Sequence, residues 1–600
     1  MIRSLFSGPS APAGAELPAH APWFSWQLWL PSLLFCLAFL GLQLTPWLDP
    51  AVLLDDTRQF GAPLALPVST GALLLDHPQI AYFQDATPRL YALVAKAWMG
   101  VTGLPPAQAL KTLALLVGLS TVAVWVRFAR SFAPGLALQP GLLALFLVGN
   151  ALCSTQLLSG TPRDFGTLLA AISLVCWMEQ RWIGLGLALL LLAGCYPAYA
   201  LVLLSALWLL QILRLRQVRW ARLYTWAPVL LATVPTGLGL KVFGPHLDAQ
   251  QWGEALRLFS ASGAEDWGVS PEVISPRSPA ATYGLTIGQL LDTQRFRPWP
   301  GSGRLLRNLP IWILSLFGGL AVVVSRYRHP PDPPQPGEAA ARLDQPLACS
   351  ALQLLVTLLA TGLFWYVTSF AMAYGLHSPS RYLILPVLLL LSLAEAQLAQ
   401  LLLAFIPAFP WRSVAVAVLA VVLGITSVPQ GHVVIPVRQM HQLAKQLQVK
   451  SLSDTAAHRT PVLAVIGASQ GRRQQDLASS LPLVAGIPVL YAPELDRAFH
   501  VKAMNINSQL LATQARLDQA IDSDQRLPFD SLSRQHVTYL LSIGKPKRSF
   551  SPEMQKCAIR IDAHPSSGKR AGESSGQSSK DRSWWLFPIQ CLRLASDEPS

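Results

Sequence analysis

With 600 residues of which 52% are hydrophobic and only 13% charged, and a mean hydropathy of +0.39, the chain is too apolar for a soluble globular protein, where about a quarter of residues carry charge. The composition predicts an α-helical polytopic membrane protein. The formal charge of +14 is informative through its location: half of the excess lies beyond Pro429, and the remainder is available to loops.

The N-terminal stretch, residues 1–22, carries a single Arg3 and a long Pro/Ala-rich lead-in, and no small-residue cleavage pattern follows the first apolar span. It is expected to be an uncleaved cytoplasmic lead into a membrane anchor. Ala21 to Leu48 contains no Asp, Glu, Lys, Arg or His, and a helix needs only about 20 such residues to cross a bilayer. Further apolar spans fall near 106–126, 136–158, 166–178, 183–195, 198–213, 224–243, 309–325, 347–370, 382–405 and 412–428, which makes eleven. The spans 183–195 and 198–213 are separated only by Cys195-Tyr196-Pro197, and their combined length favours a tight turn between two segments over one kinked helix.

Basic residues set the expected orientation. With the N-terminus in the cytoplasm, the inner loops carry Arg127 and Arg130, Arg181, the run Arg214 to Arg222, Arg326 to Arg342, and Arg412, as the positive-inside rule requires. The same alternation gathers on the outer face the loop 49–106 with Asp55-Asp56, the turn Thr161-Pro-Arg163-Asp164, the break Cys195-Tyr196-Pro197, the loop 244–308 and the stretch His377 to Tyr382. The C-terminal region lies on that face too.

Two adjacent carboxylates at the water-facing end of a membrane helix repel unless a cation, a shared proton or a substrate hydroxyl relieves them, so Asp55-Asp56 asks for a partner. Later in the same loop, Arg89 to Met99 reads as an amphipathic surface helix with Leu90, Leu93, Val94, Ala97 and Trp98 on one arc. The loop 244–308 mixes Trp252, Trp267 and Trp299 with Arg295, Arg297 and Arg304, a composition suited to a cover over a sugar or a phosphate. Arg326 to Gln345 is Pro-rich and reads as a cytoplasmic linker.

Residues 429–600 change character. Strands are expected at 460–466, 487–491 and 537–543, with helices near 470–479 and 503–521, forming a small α/β domain followed by a low-complexity segment at 564–582. Gly467-Ala-Ser469-Gln-Gly471 matches the spacing of a nucleophile elbow but reads better as a glycine-dependent strand-to-helix turn. Cys557 and Cys591 lie in two strand-like runs, Lys556 to Ala563 and Trp584 to Leu594, and form a disulfide candidate if the domain is exported. No Cys/His metal-ligand spacing is present, so any metal would be Mg²⁺ or Mn²⁺ held by carboxylates, with Asp55 and Asp56 as the candidates.

An Asp-Asp pair after the first span, a surface helix in the first outer loop, a Gly-Thr-Pro-Arg-Asp turn before the fourth span, a Tyr-Pro break and a long outer loop together resemble the GT-C superfamily of membrane glycosyltransferases, which use polyprenyl-phosphate-linked sugars. Leu54 to Phe60 and Ser378 to Tyr382 are similar to a group of large bacterial, notably cyanobacterial, membrane proteins. The resemblance covers roughly residues 24–430 and implies a GT-C-like domain over 23–428 in a bacterial inner membrane, with residues 429–600 periplasmic. It implies an inverting transfer in which Asp55 or Asp56 is the catalytic base and Arg58, Arg163, Asp164, His377, Arg381 and Tyr382 bind substrate. The expected partners are the lipid-linked sugar and membrane lipids, not nucleic acid. A non-catalytic or transport component of polysaccharide assembly on the same scaffold is the alternative. The scarcity of acids within spans, where only Glu179 and Glu395 fall, argues against ion-coupled transport.

Overall fold

The computed structural model describes residues 25–54, 57–58, 60–61, 64, 86–136, 138–153, 159–214, 226–244, 351–371, 381–406, 411–426, 432–434, 436–453, 462–469, 472–492, 501–523, 525–543, 555–561 and 584–597. The expected span 309–325, the loop 244–308 beyond Gly244, the linker 326–345 and the low-complexity segment 564–582 lie outside the described residues.

Among the described residues, the membrane part includes α1 (Trp26–Leu48), α2 (Arg89–Thr102), α3 (Pro106–Phe132), α4 (Pro140–Cys153), α5 (Pro162–Met178), α6 (Trp182–Cys195), α7 (Pro197–Arg214), α8 (Ala227–Phe243), α9 (Ala351–Ala371), α10 (Arg381–Ala404) and α11 (Trp411–Thr426). Among the described residues, three helical stretches are long and apolar enough to cross a membrane: Pro106–Phe132, Ala351–Thr368 and Arg381–Ala404. Shorter apolar helices accompany them. The polarity of the bundle is that of a protein dissolved in lipid. Leu116, Leu187, Val234, Phe364, Leu402 and Val418 point outward, while Asn150, Ser173, Gln211, Thr236, Ser392 and Glu395 are buried between helices. Apolar side chains gain nothing by leaving hydrocarbon, whereas each buried polar group needs a partner in the bundle. Asn150 of α4 accordingly donates through Nδ2 to Ser392 Oγ (3.0 Å) and to Glu395 Oε2 (2.7 Å) of α10.

The helix packing closes on itself. α1 packs against α4 and α11, α5 against α3 and α6, α6 against α8, and α10 against α4 and α9. The chain turns between α6 and α7 at Tyr196 (φ −148°, ψ 81°), and Pro197 opens the next helix at a position where its missing N–H is not needed. The arginine-bearing ends meet separately: Glu179, just beyond α5, accepts from Arg127 of α3 (Nε to Oε1, 2.7 Å) and pairs with Arg181 (2.9 Å). Seventeen helical residues, about 25 Å, separate this ion cluster from the Thr161 turn at the other end of α5.

The expected arc of the surface helix is divided: Leu90 and Trp98 pack against the bundle, whereas Leu93 and Ala97 are exposed. Tyr91 and Ala95 of α2 are buried against the bundle, while Leu93, Ala97 and Val101 face outward with Lys96. Residues four apart share a face, so the 91/95 stripe and the 93/97/101 stripe are two apolar faces, of which only the first meets the neighbouring helices.

Beyond α11 lie β2 (His432–Val434), α12 (Val437–Ser453), β3 (Val462–Val465), α13 (Arg472–Ala485), α14 (Val501–Asp522), α15 (Phe529–Arg534), β4 (Val537–Ile543), β5 (Ile559–Ile561), β6 (Trp584–Pro588) and α16 (Ile589–Asp597). One sheet runs β3-β4-β6-β5, with β3 parallel to β4 and the other pairs antiparallel. Its two faces carry separate cores: Met440, Leu443 and Leu477 from α12 and α13 on one, Leu517, Leu532 and Leu592 from α14, α15 and α16 on the other. The stretch 487–491, expected as a strand, contributes a single parallel bridge of Val489 to Leu463. The run Trp584 to Leu594, expected to be strand-like throughout, bends after Pro588 into α16. Cys557 and Cys591 are joined, with Cα atoms 5.8 Å apart.

Candidate active site

Among the described residues, the first outer loop, α2, α3 and α5 meet around one turn. At Gly160 the backbone is left-handed (φ +69°), and a Cβ there would lie 2.3 Å from the Leu110 carbonyl oxygen of α3, so only glycine fits. The turn is held from four sides. Thr57 Oγ1 donates to Ser159 O (2.8 Å), Tyr91 Oη donates to Gly160 O (2.7 Å), Gly160 N donates to Asp164 Oδ2 (2.6 Å), and the Ser159 and Thr161 hydroxyls share a hydrogen bond of 2.9 Å. The Tyr91 ring stands edge-on to both Phe60 and Phe165. Burial, together with the nearby Asp164 and Cys195, raises its phenol well above the ordinary range, which keeps it a donor.

The first outer loop is attached to the C-terminal domain. β1 (Val52–Leu54) pairs antiparallel with β2, Leu53 opposite Val433. Leu53 is itself part of the core formed by α12 and α13. Six residues after the acid pair's predecessor strand begins, Arg58 is fully buried, and its Nη1 meets Asp476 of α13 at 3.1 Å to Oδ1 and 3.3 Å to the carbonyl oxygen. Lys111 at the head of α3 reaches back to the Asp49 carbonyl oxygen (2.7 Å).

Asp55, Asp56 and His377 lie outside the described residues. Of the other site candidates, Arg58 joins loop to domain, and Asp164 is buried with its carboxylate on Gly160 N. Arg163 and Arg381 are half-buried, at the starts of α5 and α10. Tyr382 is buried and its ring stacks on Trp365 of α9. The turn before α5 and the break before α7 meet where the Tyr196 ring packs on Gly166 of α5 and stands edge-on to Tyr199 of α7 at 4.7 Å between centroids. Among the described residues no group of three or more His, Cys, Asp and Glu side chains comes together.

Sequence reasoning passed over Lys111, Tyr91, Tyr196, Tyr199 and Asp476. Lys111 was detectable as the only charged residue in the span 106–126. Asp476 carries no local signal, since its partner is 418 residues away.

No family model and no curated protein matches the chain. Among solved structures it is similar to the mycobacterial arabinofuranosyltransferase AftD, at 14% identity and TM-score 0.46, covering 94% of this chain and 40% of that one. It is also similar to the oligosaccharyltransferase AglB of Archaeoglobus fulgidus, solved with an inhibitory peptide and a dolichol-phosphate, at 9% identity and TM-score 0.42, covering 86% of this chain and 69% of that one. The chain thus spans less than half the length of the mycobacterial protein. Likeness at this level does not carry a shared activity.

Proposed function

We propose that the chain is a GT-C-type membrane glycosyltransferase that moves a sugar from a polyprenyl-phosphate carrier to an envelope glycan, lipid or protein on the outer face of a bacterial inner membrane. The observation that supports the reading is that the turn leading into Arg163 and Asp164 is gripped by Thr57, which together with the clamped Arg58 follows directly on Asp55-Asp56. In this reading one of the two aspartates accepts the acceptor hydroxyl's proton. The hydroxyl oxygen bonds to the anomeric carbon as the carbon–phosphate oxygen bond breaks, and the phosphate leaves with the electron pair and the configuration inverts. Charge developing on the leaving phosphate falls to Arg163 and Arg381, whose planar forks suit phosphate oxygens and keep their charge beside lipid.

The test is transfer by purified wild type, Asp55→Asn and Asp56→Asn with a panel of polyprenyl-phosphate sugars. Wild-type turnover with at least a hundredfold loss in one variant is expected for removal of a general base. Transfer unchanged from wild type in both variants, or no turnover of any donor by wild type, refutes the proposal. The transport alternative draws on Glu395, a carboxyl buried in the bundle. Its bond to Asn150 makes it also a brace between α4 and α10.

A further inference from the structure

Helix α2 has three sides rather than two. At about 100° per residue, Tyr91 and Ala95 fall on the side that meets the bundle, Leu93, Ala97 and Val101 on a second, and Arg89 and Lys96 together on a third. The second and third sides are open. Leu93 is 62% exposed and Val101 82%, and both cations are exposed as well. The helix has 14 residues, about 21 Å, which is too short to cross a bilayer. A packed side, an apolar side and a cationic side around one short helix match the boundary between acyl chains and headgroups.

The apolar side adjoins the lipid-facing surface of the bundle. Val234, Leu238 and Val242, four residues apart, form an exposed stripe on α8, and the stripe ends where Phe243 and Leu90 of α2 close on Gly194 of α6. A Cβ at Gly194 would lie 2.9 Å from each of those two side chains. The charge is one-sided. α2 contains no acidic residue, and Arg89 opens the helix at its positive end, where a cation does nothing for helix stability. Lys241, exposed in the last turn of α8, adds another cation beside the same junction. Positive charge bordering an apolar surface matches an amphiphile with a negative headgroup.

We propose that α2 is a docking surface for an anionic glycerophospholipid of the surrounding leaflet, with an acyl chain on Leu93, Ala97 and Val101 and the phosphate held by Arg89 and Lys96. A lipid seated there braces the helix whose packed side carries Tyr91 Oη to the Gly160 carbonyl oxygen (2.7 Å), so the bilayer supports the Gly160 turn through α2. The surface goes beyond the transferase reading and does not depend on it.

The experiment attaches a bimane fluorophore at Val101→Cys in the full chain in detergent and titrates it with phosphatidylglycerol or phosphatidylcholine carrying brominated acyl chains, which quench on contact. The unsubstituted chain, treated alike, supplies the background. Phosphatidylglycerol is expected to quench at about twenty-fivefold lower concentration than phosphatidylcholine, about fivefold for each of two cations. Raising the salt concentration should weaken quenching by phosphatidylglycerol alone. Adding Arg89→Gln and Lys96→Gln should remove the preference while thermal unfolding without lipid stays as it was. Equal quenching by the two lipids, or a preference that survives loss of both cations, overturns the proposal. Absence of quenching by either lipid, with a dimer in light scattering, gives the face to a second copy of the chain and also overturns it. Unbrominated farnesyl phosphate is the remaining arm: displacement of brominated phosphatidylglycerol at lower concentration than unbrominated phosphatidylglycerol requires would assign the surface to a lipid-phosphate carrier instead of a bilayer lipid.

Discussion

The clamp between Arg58 and Asp476 offers a direct measure of how firmly the first outer loop is attached to the C-terminal domain. Asp476→Ala removes the carboxylate that meets the buried guanidinium at 3.1 Å and leaves the weaker contact to the carbonyl oxygen at 3.3 Å. Breaking a fully buried ion pair costs about 3–5 kcal/mol. Here Asp476 retains 26% of its side-chain surface, so water screens it in part, and a hydrogen bond to a charged group is worth about 1.5–3 kcal/mol. We expect a loss of about 2 kcal/mol, localised to the junction. The assay is hydrogen exchange of the full chain in detergent, read on peptides covering β1 and β2. If the clamp and the β1–β2 ladder open together, a 2 kcal/mol change accelerates exchange of those amides about thirtyfold while the amides of α3 and α5 stay as they were. Arg58→Met should give a similar acceleration, and the double variant should add little to either single one. Exchange of β1 and β2 unchanged in Asp476→Ala, or strict additivity in the double variant, would show that Leu53 and the ladder hold the loop without the ion pair.

Gly160→Ala places a side chain in a left-handed conformation and drives its Cβ into the Leu110 carbonyl. A loss of about 3 kcal/mol or more is expected in thermal unfolding, and a change under 1 kcal/mol would contradict the geometry. Asn150→Leu removes two interhelical bonds to α10 and should lower bundle stability by about 1 kcal/mol in a detergent-unfolding titration; a stabilised variant would count against the brace. In the C-terminal domain, Asp518 accepts from Gly467 N (2.7 Å), Ser469 N (3.0 Å), Gln514 Nε2 (3.0 Å) and the Ser469 hydroxyl, so the Gly467–Ser469 turn is a locked connector. Burial raises the Asp518 carboxyl above its ordinary 3.8 despite those donors. A raised folded-state value means that its contribution is complete below 3.8 and declines as pH rises through the folded value. The unfolding temperature of wild type minus that of Asp518→Asn should therefore increase on acidification from neutrality toward pH 4, and a decrease in that signed difference would refute the assignment.

Much of the helical architecture was written in local composition. A segment that must satisfy every backbone group inside hydrocarbon has one common solution, so apolar runs with at most one charge each located α3, α9 and α10 closely, and Pro197 marked the break between α6 and α7. Which end of the bundle gathers the polar turns followed from the arginines, and the Glu179 ion cluster does lie at the opposite end of α5 from the Thr161 turn. Local pattern could not choose between the two apolar faces of α2, because both have helical spacing and only the presence of the bundle selects Tyr91 and Ala95. It also could not separate strand from helix within Trp584 to Leu594, where apolar residues suit either period until packing against β4 decides.

The candidate site divides in the same way. Arg163, Arg381 and Tyr382 were visible because charge and aromatic rings at span ends stand out against hydrocarbon. What only the tertiary structure decided is how they are assembled: the Gly160 turn gripped by residues 57, 91 and 164, the Arg58–Asp476 clamp, and the Tyr196 ring seated on Gly166. The physical reason is that a hydrophobic span is a property of neighbours in sequence, measured against lipid, whereas a buried hydrogen bond or its absence is a property of neighbours in space. Those neighbours come from segments tens to hundreds of residues apart and leave no trace in either one alone.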